Sequence, residues 1–306
     1  MSWHECSEAE SRFSAAEIDP IQTIVVPRTG DIGNFEVRRA LPSKQQRMVG
    51  PFVFFDQMGP GEFLTDAGLD VRPHPHIGLA TVTYLFTGRV MHRDSLGTVL
   101  PIEPGAMNLM TAGRGIAHSE RTPTDDRAAP SSLFGIQAWV ALPRDAEECA
   151  PDVAHHPAES LPIVEGDGAR VRLIAGRAYG ASSPVPMASE AVYADISLEP
   201  GASLPIDVEH EERALYLVEG RLQIAGDAHA AGRLLVLRPG DRLTVEALAP
   251  CRFMLLGGAA MDGPRYVWWN FVSSRRERIE AAKADWRAGR FGAVPGDAEH
   301  IPLPES

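Results

Sequence analysis

Two separated stretches of the chain repeat one another. Residues 81–90 read TVTYLFTGRV, and residues 213–222 read RALYLVEGRL. In each, an aromatic and aliphatic run ends at a turn of the same make, Thr87-Gly88-Arg89 and Glu219-Gly220-Arg221. Each is followed by a Pro-Gly turn, in EPGAMNLM at 103–110 and RPGDRLTV at 238–245. Self-similarity at domain scale predicts two copies of one architecture. The runs themselves are short and β-like: Gly50–Phe55, Ala80–Phe86, Ala106–Thr111, Phe134–Ala141, Ala191–Leu198, Ala214–Val218, Leu234–Leu237 and Arg252–Leu256. The 25 prolines and 28 glycines punctuate them and form no low-complexity tract. Many short strands between turn signals predict an all-β barrel or sandwich. A chain of 306 residues has room for two.

The expected division is an N-terminal extension at 1–30, a first barrel at 31–145, a linker at 146–162 and a second barrel at 163–306. The linker lies in a Pro/Ala/Glu-rich stretch, Pro143 to Pro162. Asp152, His155 and His156 read there as a solvated loop, because adjacent residues on an extended chain point opposite ways. One helix is expected, over Ser274–Ala288, from its strong helix formers. Ile279 and Trp286 are its core contacts and Gly289 its stop.

Composition excludes several classes. The formal net charge is -12, and no Lys/Arg run rises above that acidic background, so no nucleic-acid partner is expected. No apolar run approaches the ~18 residues of a membrane span. The polar start MSWHECSEAE has neither a basic nor an apolar region, so no signal peptide is expected. Cys6, Cys149 and Cys251 are odd in number and far apart, which suits free thiols in a cytoplasmic protein.

The chemistry concentrates in His74, His76, His118 and Glu120. They form two i, i+2 pairs in β-type stretches, and on a strand such pairs share a face. Neighbouring strands would bring three imidazoles and one carboxylate to one point. Four polar groups aimed into one interior need a mutual partner, which a divalent transition metal supplies. Pro75 cannot donate to a strand ladder and so predicts an edge strand. His92 and Asp94 also share a face and read either as groups that orient a ligand or as rim or turn residues, the rim or turn being expected. Asp56 and Gln57 read either as a support for a ligand histidine or as turn caps. Gln137 and Trp139 alternate on one strand as candidates to line the pocket, Trp139 reading rather as core. Arg114 reads as a structural ion-pair member. In the second half, His210 and Glu212 have the spacing of a first ligand pair, but RLTVEALAPCRF holds no histidine to match. An acidic rim without metal is expected there. His4 and Cys6 read as part of an unstructured terminus.

RPHPHIGLATVTYLF (72–86), HRDSLG (92–97), MTAGRGIAHSE (110–120) and VSSRRERIEAAKADWRAGRFGAVPGD (272–297) together resemble the pirins, two-barrel members of the cupin superfamily. The resemblance runs from about residue 30 to the end, with four motifs in order. It implies an all-β bicupin: two jelly-roll-like antiparallel barrels with a short C-terminal helix. It also implies His74, His76, His118 and Glu120 as ligands of one metal, usually iron. Many cupins carry a ligand glutamate shortly after the His-x-His pair. Here Ile77-Gly78-Leu79-Ala80-Thr81 offers none, and Glu120 takes that place.

The expected function is quercetin 2,3-dioxygenase-type cleavage of a flavonol by dioxygen at an Fe(II) site. Glu120 serves as ligand and as base toward the substrate hydroxyl. The ligand set also accepts Mn, Co, Ni or Zn. The alternative is a redox-sensing iron protein that regulates a protein partner in transcription or central metabolism. A cupin-type isomerase rests on fold analogy alone. By the same analogy, two barrels in one chain predict a monomer.

Overall fold

A computed structural model describes residues 19–32, 34–206 and 209–305. Its strands form two halves of one design. In the first, a seven-stranded sheet runs in the order Asp152–His156, Met107–Thr111, Leu79–Thr87, Ser131–Ala141, Phe52–Phe63, Phe35–Leu41, Arg28–Ile32. It faces a four-stranded sheet ordered Asp70–His76, Ile116–Arg121, Val90–Asp94, Val99–Ile102. In the second half the seven strands are Ile21–Val25, Arg233–Leu237, Glu212–Glu219, Cys251–Gly258, Ala191–Leu198, Ala169–Ala175 and Ile163–Gly166. The facing four are Ser203–Ile206, Leu243–Ala247, Arg221–Ile224 and Asp227–Ala230. The two lists match strand for strand. All pairings within these sheets are antiparallel, and each half is a sandwich of two open sheets in the cupin manner.

The two seven-stranded sheets pack on each other through their outer faces, which explains the nearly continuous apolar runs. A strand covered on both sides has no solvent face to mark with polar residues. In Leu79–Thr87, Ala80, Val82 and Tyr84 enter the core shared between the halves. Leu85 joins the core of the first half, and Thr81 and Thr83 are buried on that same inner face. Across the shared core, the ring of Phe52 meets Tyr193 at 5.5 Å and that of Phe55 meets Tyr216 at 5.0 Å. Burying each such aromatic side chain contributes about 1.5–3 kcal/mol. Two tyrosine hydroxyls bond across the same boundary, whereas that of Tyr193 is buried without a hydrogen-bond partner among the described residues. Tyr84 OH donates to Asp195 Oδ2 at 2.7 Å, and Tyr216 OH donates to Gln57 Oε1 at 2.9 Å.

The matched turns hold their geometry, with φ of 82° at Gly88 and 80° at Gly220. The Pro-Gly turns do not correspond. Pro104-Gly105 precedes Met107–Thr111, whereas Pro239-Gly240 follows Arg233–Leu237, its counterpart strand. The shared dipeptide reflects a common need for a tight turn, not a common position.

The end segments are more structured than their composition suggests. Ile21–Val25, within the expected extension, pairs with Arg233–Leu237 of the second half. Asp152–His156, within the expected linker, pairs with Met107–Thr111 of the first. The two occupy equivalent sheet edges. Residues 1–18, with His4 and Cys6, lie outside the described residues. Cys149 and Cys251 are free. The helix spans Arg276–Arg287 and buries Ile279 and Ala282 against Ile77, Ala117, Phe271, Phe291 and Val294.

Candidate metal centre

His74 and His118 face each other across Asp70–His76 and Ile116–Arg121, the outer pair of the small sheet. The first of these is an edge strand, so Pro75 costs no ladder bond to a further neighbour. Opposite His118–Glu120 the edge strand carries one extra residue, a β-bulge. At that bulge His74 Nδ1 donates to Arg72 O at 2.9 Å, which aims Nε2 inward. The other face of the two strands is backed by Ile77 and Ala117 against the helix cluster. Alternation along each strand therefore presents the imidazoles to the interior of the first sandwich. Gly113, with φ of 49°, leads into the second ligand strand, and a Cβ there would lie 2.2 Å from Cys149 O. Only glycine fits that approach.

The nitrogens of His74, His76 and His118 lie within 4.8 Å of one another, the three being the metal-capable group among the described residues. His76 Nε2 and His118 Nε2 are 3.1 Å apart. Two nitrogens about 2.1 Å from one ion, at right angles, would be about 3.0 Å apart. His76 and His118 therefore have the spacing of two adjacent ligands on an octahedral-type ion, with His74 within 4.8 Å of both.

Glu120 lies beside this trio, not within it. Gln137 Nε2 donates to both its carboxylate oxygens at 2.8 Å, and Thr83 Oγ1 to Oε1 at 3.3 Å. His76 makes an edge contact with Trp139 at 5.2 Å, and Trp139 stacks on Phe54 at 4.0 Å. Exposure of the four residues is only 6% at His74, 1% at His76 and His118, and 4% at Glu120.

Burial dominates the electrostatics. It pushes His76 and His118 well below the ordinary imidazole range, helped by repulsion from neighbouring histidines. His74 is also lowered by burial, although the Arg72 carbonyl and Glu120 pull it back. All three are thereby neutral at pH 7, the form in which imidazole binds a metal.

The structure relocates several other residues. His92 and Asp94, expected at a rim or turn, are 1% and 0% exposed. Asp94 does hold a turn, accepting from Leu96 N at 2.8 Å and Thr98 N at 3.2 Å. Its other oxygen accepts from His92 Nε2 at 2.8 Å, and His92 Nδ1 lies 3.4 Å from His118 Nδ1. The signal available in the sequence was a third i, i+2 pair, His92-x-Asp94, beside the two ligand pairs. Asp56 neither supports a histidine nor caps a turn. It accepts from Arg39 Nε and Nη2 at 2.9 and 2.7 Å, and burial still raises its pKa. Gln57 serves the boundary between halves. Arg114 offers its backbone carbonyl to Arg278. In the second half, His210 is engaged at both nitrogens, by Glu190 Oε1 at 3.0 Å and Arg177 O at 2.9 Å. Glu212 turns away to accept from Gly50 N. That pair does not converge.

Comparison with known proteins agrees with this layout. The Pirin family model matches residues 34–140, and the Pirin C-terminal cupin domain matches residues 193–292. A pirin-like protein of Caulobacter vibrioides is 48% identical, over 93% of this chain and 100% of its own. A Pseudomonas aeruginosa protein, named provisionally as a quercetin 2,3-dioxygenase, is 38% identical over 94% of this chain and 91% of its own. The crystal structure of a quercetin 2,3-dioxygenase from Acinetobacter baumannii superposes with a TM-score of 0.86 at 33% identity, covering 93% of this chain and 95% of that one. Two matching domains in order, near full-length relatives and the doubled sandwich lead to one conclusion: the chain belongs to the pirin family.

Proposed function

We propose that the protein is a metal-dependent dioxygenase that cleaves a flavonol-like aromatic ring, with His74, His76, His118 and Glu120 holding one ion. The observation that carries this reading is the buried group of three neutral imidazoles with a carboxylate beside it. The relatives named for quercetin 2,3-dioxygenase support the substrate class. Held by the three imidazoles and Glu120, an ion, Fe(II) in this reading, would supply open positions for substrate and dioxygen and the redox chemistry between them.

The chain's own residues do the rest. The three imidazoles enter neutral, so no proton must leave them before binding. Glu120, released from Gln137, accepts the proton of the substrate hydroxyl at a carboxylate oxygen. Gln137 and Thr83 hold that carboxylate until then. Trp139 and Phe54 form an apolar wall that excludes water beside His76.

A second reading draws on the depth of the site. With every ligand at 6% exposure or less, a change of charge on the ion is felt through a dry interior. A groove of about 720 Å³ crosses Val90–Asp94 and the end of the ligand strand Ile116–Arg121, lined there by Met91, Arg93 and Arg121. In this reading, oxidation of the ion alters that face toward a protein partner.

One experiment separates the two: metal content and oxygen uptake with quercetin, for wild type, His76→Ala and Glu120→Ala. One ion per chain with uptake lost in both variants supports the dioxygenase. Uptake unchanged in the variants sinks it. Metal without any uptake leaves the sensor.

A further inference from the structure

His92 and Asp94 take no part in the ligand set proposed above, yet they are buried as deeply as the ligands. A buried imidazole and carboxylate must be satisfied by one another or by a neighbour. Here the contacts form one directed chain. Asp94 Oδ1 is fixed by the backbone N–H groups of Leu96 and Thr98. Asp94 Oδ2 then accepts from His92 Nε2 at 2.8 Å. Because that carboxylate can only accept, a neutral His92 carries its proton on Nε2 and leaves Nδ1 as a lone pair. His92 Nδ1 lies 3.4 Å from His118 Nδ1, so His118 must donate there. His118 Nε2 is thereby left as a lone pair, 3.1 Å from His76 Nε2 at the point where the three imidazoles meet. The turn is itself clasped to the ligand strand: Ser95 N donates to Ala117 O at 2.8 Å, and Ala117 N to Ser95 Oγ at 3.1 Å.

We propose that Asp94 and His92 are positioning residues that fix the tautomer of His118, so that its Nε2 is the atom offered to the metal. The inference rests on the metal-centre reading and adds residues that the ligand set does not contain. The direction of the chain decides the outcome, which gives it an isosteric test. In Asp94→Asn the turn amides hold the side-chain oxygen at the Oδ1 position. The amide nitrogen then faces His92 Nε2 and donates to it. His92 must carry its proton on Nδ1, and His118 must accept at Nδ1 and carry its own proton on Nε2. The ligand lone pair is lost although the shape of the site is kept.

The full chain is labelled with 15N-histidine, and long-range proton–nitrogen spectra identify which nitrogen of His118 is protonated. Zinc affinity is read by competition with a chelator. In the wild type, one zinc per chain and Nδ1–H on His118 are expected. Asp94→Asn is expected to move the proton to Nε2 and weaken zinc binding about 10- to 100-fold, the range for loss of a residue that orients a ligand. His92→Leu should weaken it similarly, and His92→Asn, which returns an acceptor near the Nδ1 position, should recover part of the loss. Asp94→Asn or His92→Leu that binds zinc within twofold of wild type overturns the inference alone, as does Nε2–H on His118 in the wild type. A wild type that takes up no zinc overturns the metal-centre reading and the inference with it.

Discussion

The amide nitrogen of Gln137 donates to both carboxylate oxygens of Glu120, 2.8 Å from each. A buried carboxylate without such a donor bears its desolvation cost alone. Gln137→Leu is therefore expected to destabilise the metal-free protein by about 1–3 kcal/mol. An ion that takes up Glu120 replaces the lost donor, so the metal-loaded protein should lose less. Thermal unfolding with and without added zinc checks this; equal losses in both states would place Glu120 away from the ion.

Glu120→Gln separates binding from chemistry. Three imidazoles remain, so metal content should fall by less than half. Oxygen uptake with quercetin should drop about 100-fold if the carboxylate is the base, the range for loss of a positioned proton acceptor. Equal uptake at equal metal content would remove Glu120 from that role.

The histidine trio sets a pH dependence with a definite sign. His76 and His118 are held well below the ordinary imidazole value by burial, and His74 is lowered too. The unfolded chain, titrating near pH ~6.5, binds protons that the native site refuses. The metal-free protein should therefore be at full stability above that pH and lose it as the pH falls through and below it. Denaturant midpoints between pH 8 and 5 test this. His118→Gln should flatten the slope, and an unchanged slope would assign the loss to other groups.

Tyr84→Phe removes one bond between the halves and leaves the ring in place. Asp195 keeps Arg252, whose Nε donates at 2.8 Å, so the carboxylate is not orphaned. The expected loss is about 1.5–3 kcal/mol for a hydrogen bond to a charged group. Unfolding should remain a single transition, as a shared core requires. Two resolved transitions would show that the halves fold independently.

Much of this was legible from residue patterns because the relevant spacing is local. Strand alternation alone puts His74 with His76 and His118 with Glu120 on shared faces. The doubled β-type run predicts two like halves. What escaped is whatever depends on register between distant strands. The diagonal reach of His92 to His118 needs the pairing of Val90–Asp94 with Ile116–Arg121. Gln137 was readable only as a pocket-lining candidate, since its partner lies 17 residues away on another sheet. Asp56 was read as a support for a ligand histidine or as a cap because the pairing of Phe52–Phe63 with the Arg39 strand cannot be seen in the sequence. The edge strands Ile21–Val25 and Asp152–His156 lack strong apolar alternation, because each borrows its order from the sheet it completes.

Those two borrowed edges have a consequence for any attempt to divide the gene. The second sheet is finished by residues that precede the first sandwich, and the first by residues that lead into the second. A fragment beginning near residue 163 would be translated without its outermost strand. One ending near residue 145 would expose the open ladder of Met107–Thr111, a template for self-association. The usable scissile points are therefore not the midpoint of the chain. A split version that reassembles would have to carry residues 19–156 on one piece and supply Ile21–Val25 to the other in trans, so the halves could be inherited separately only as an obligate pair.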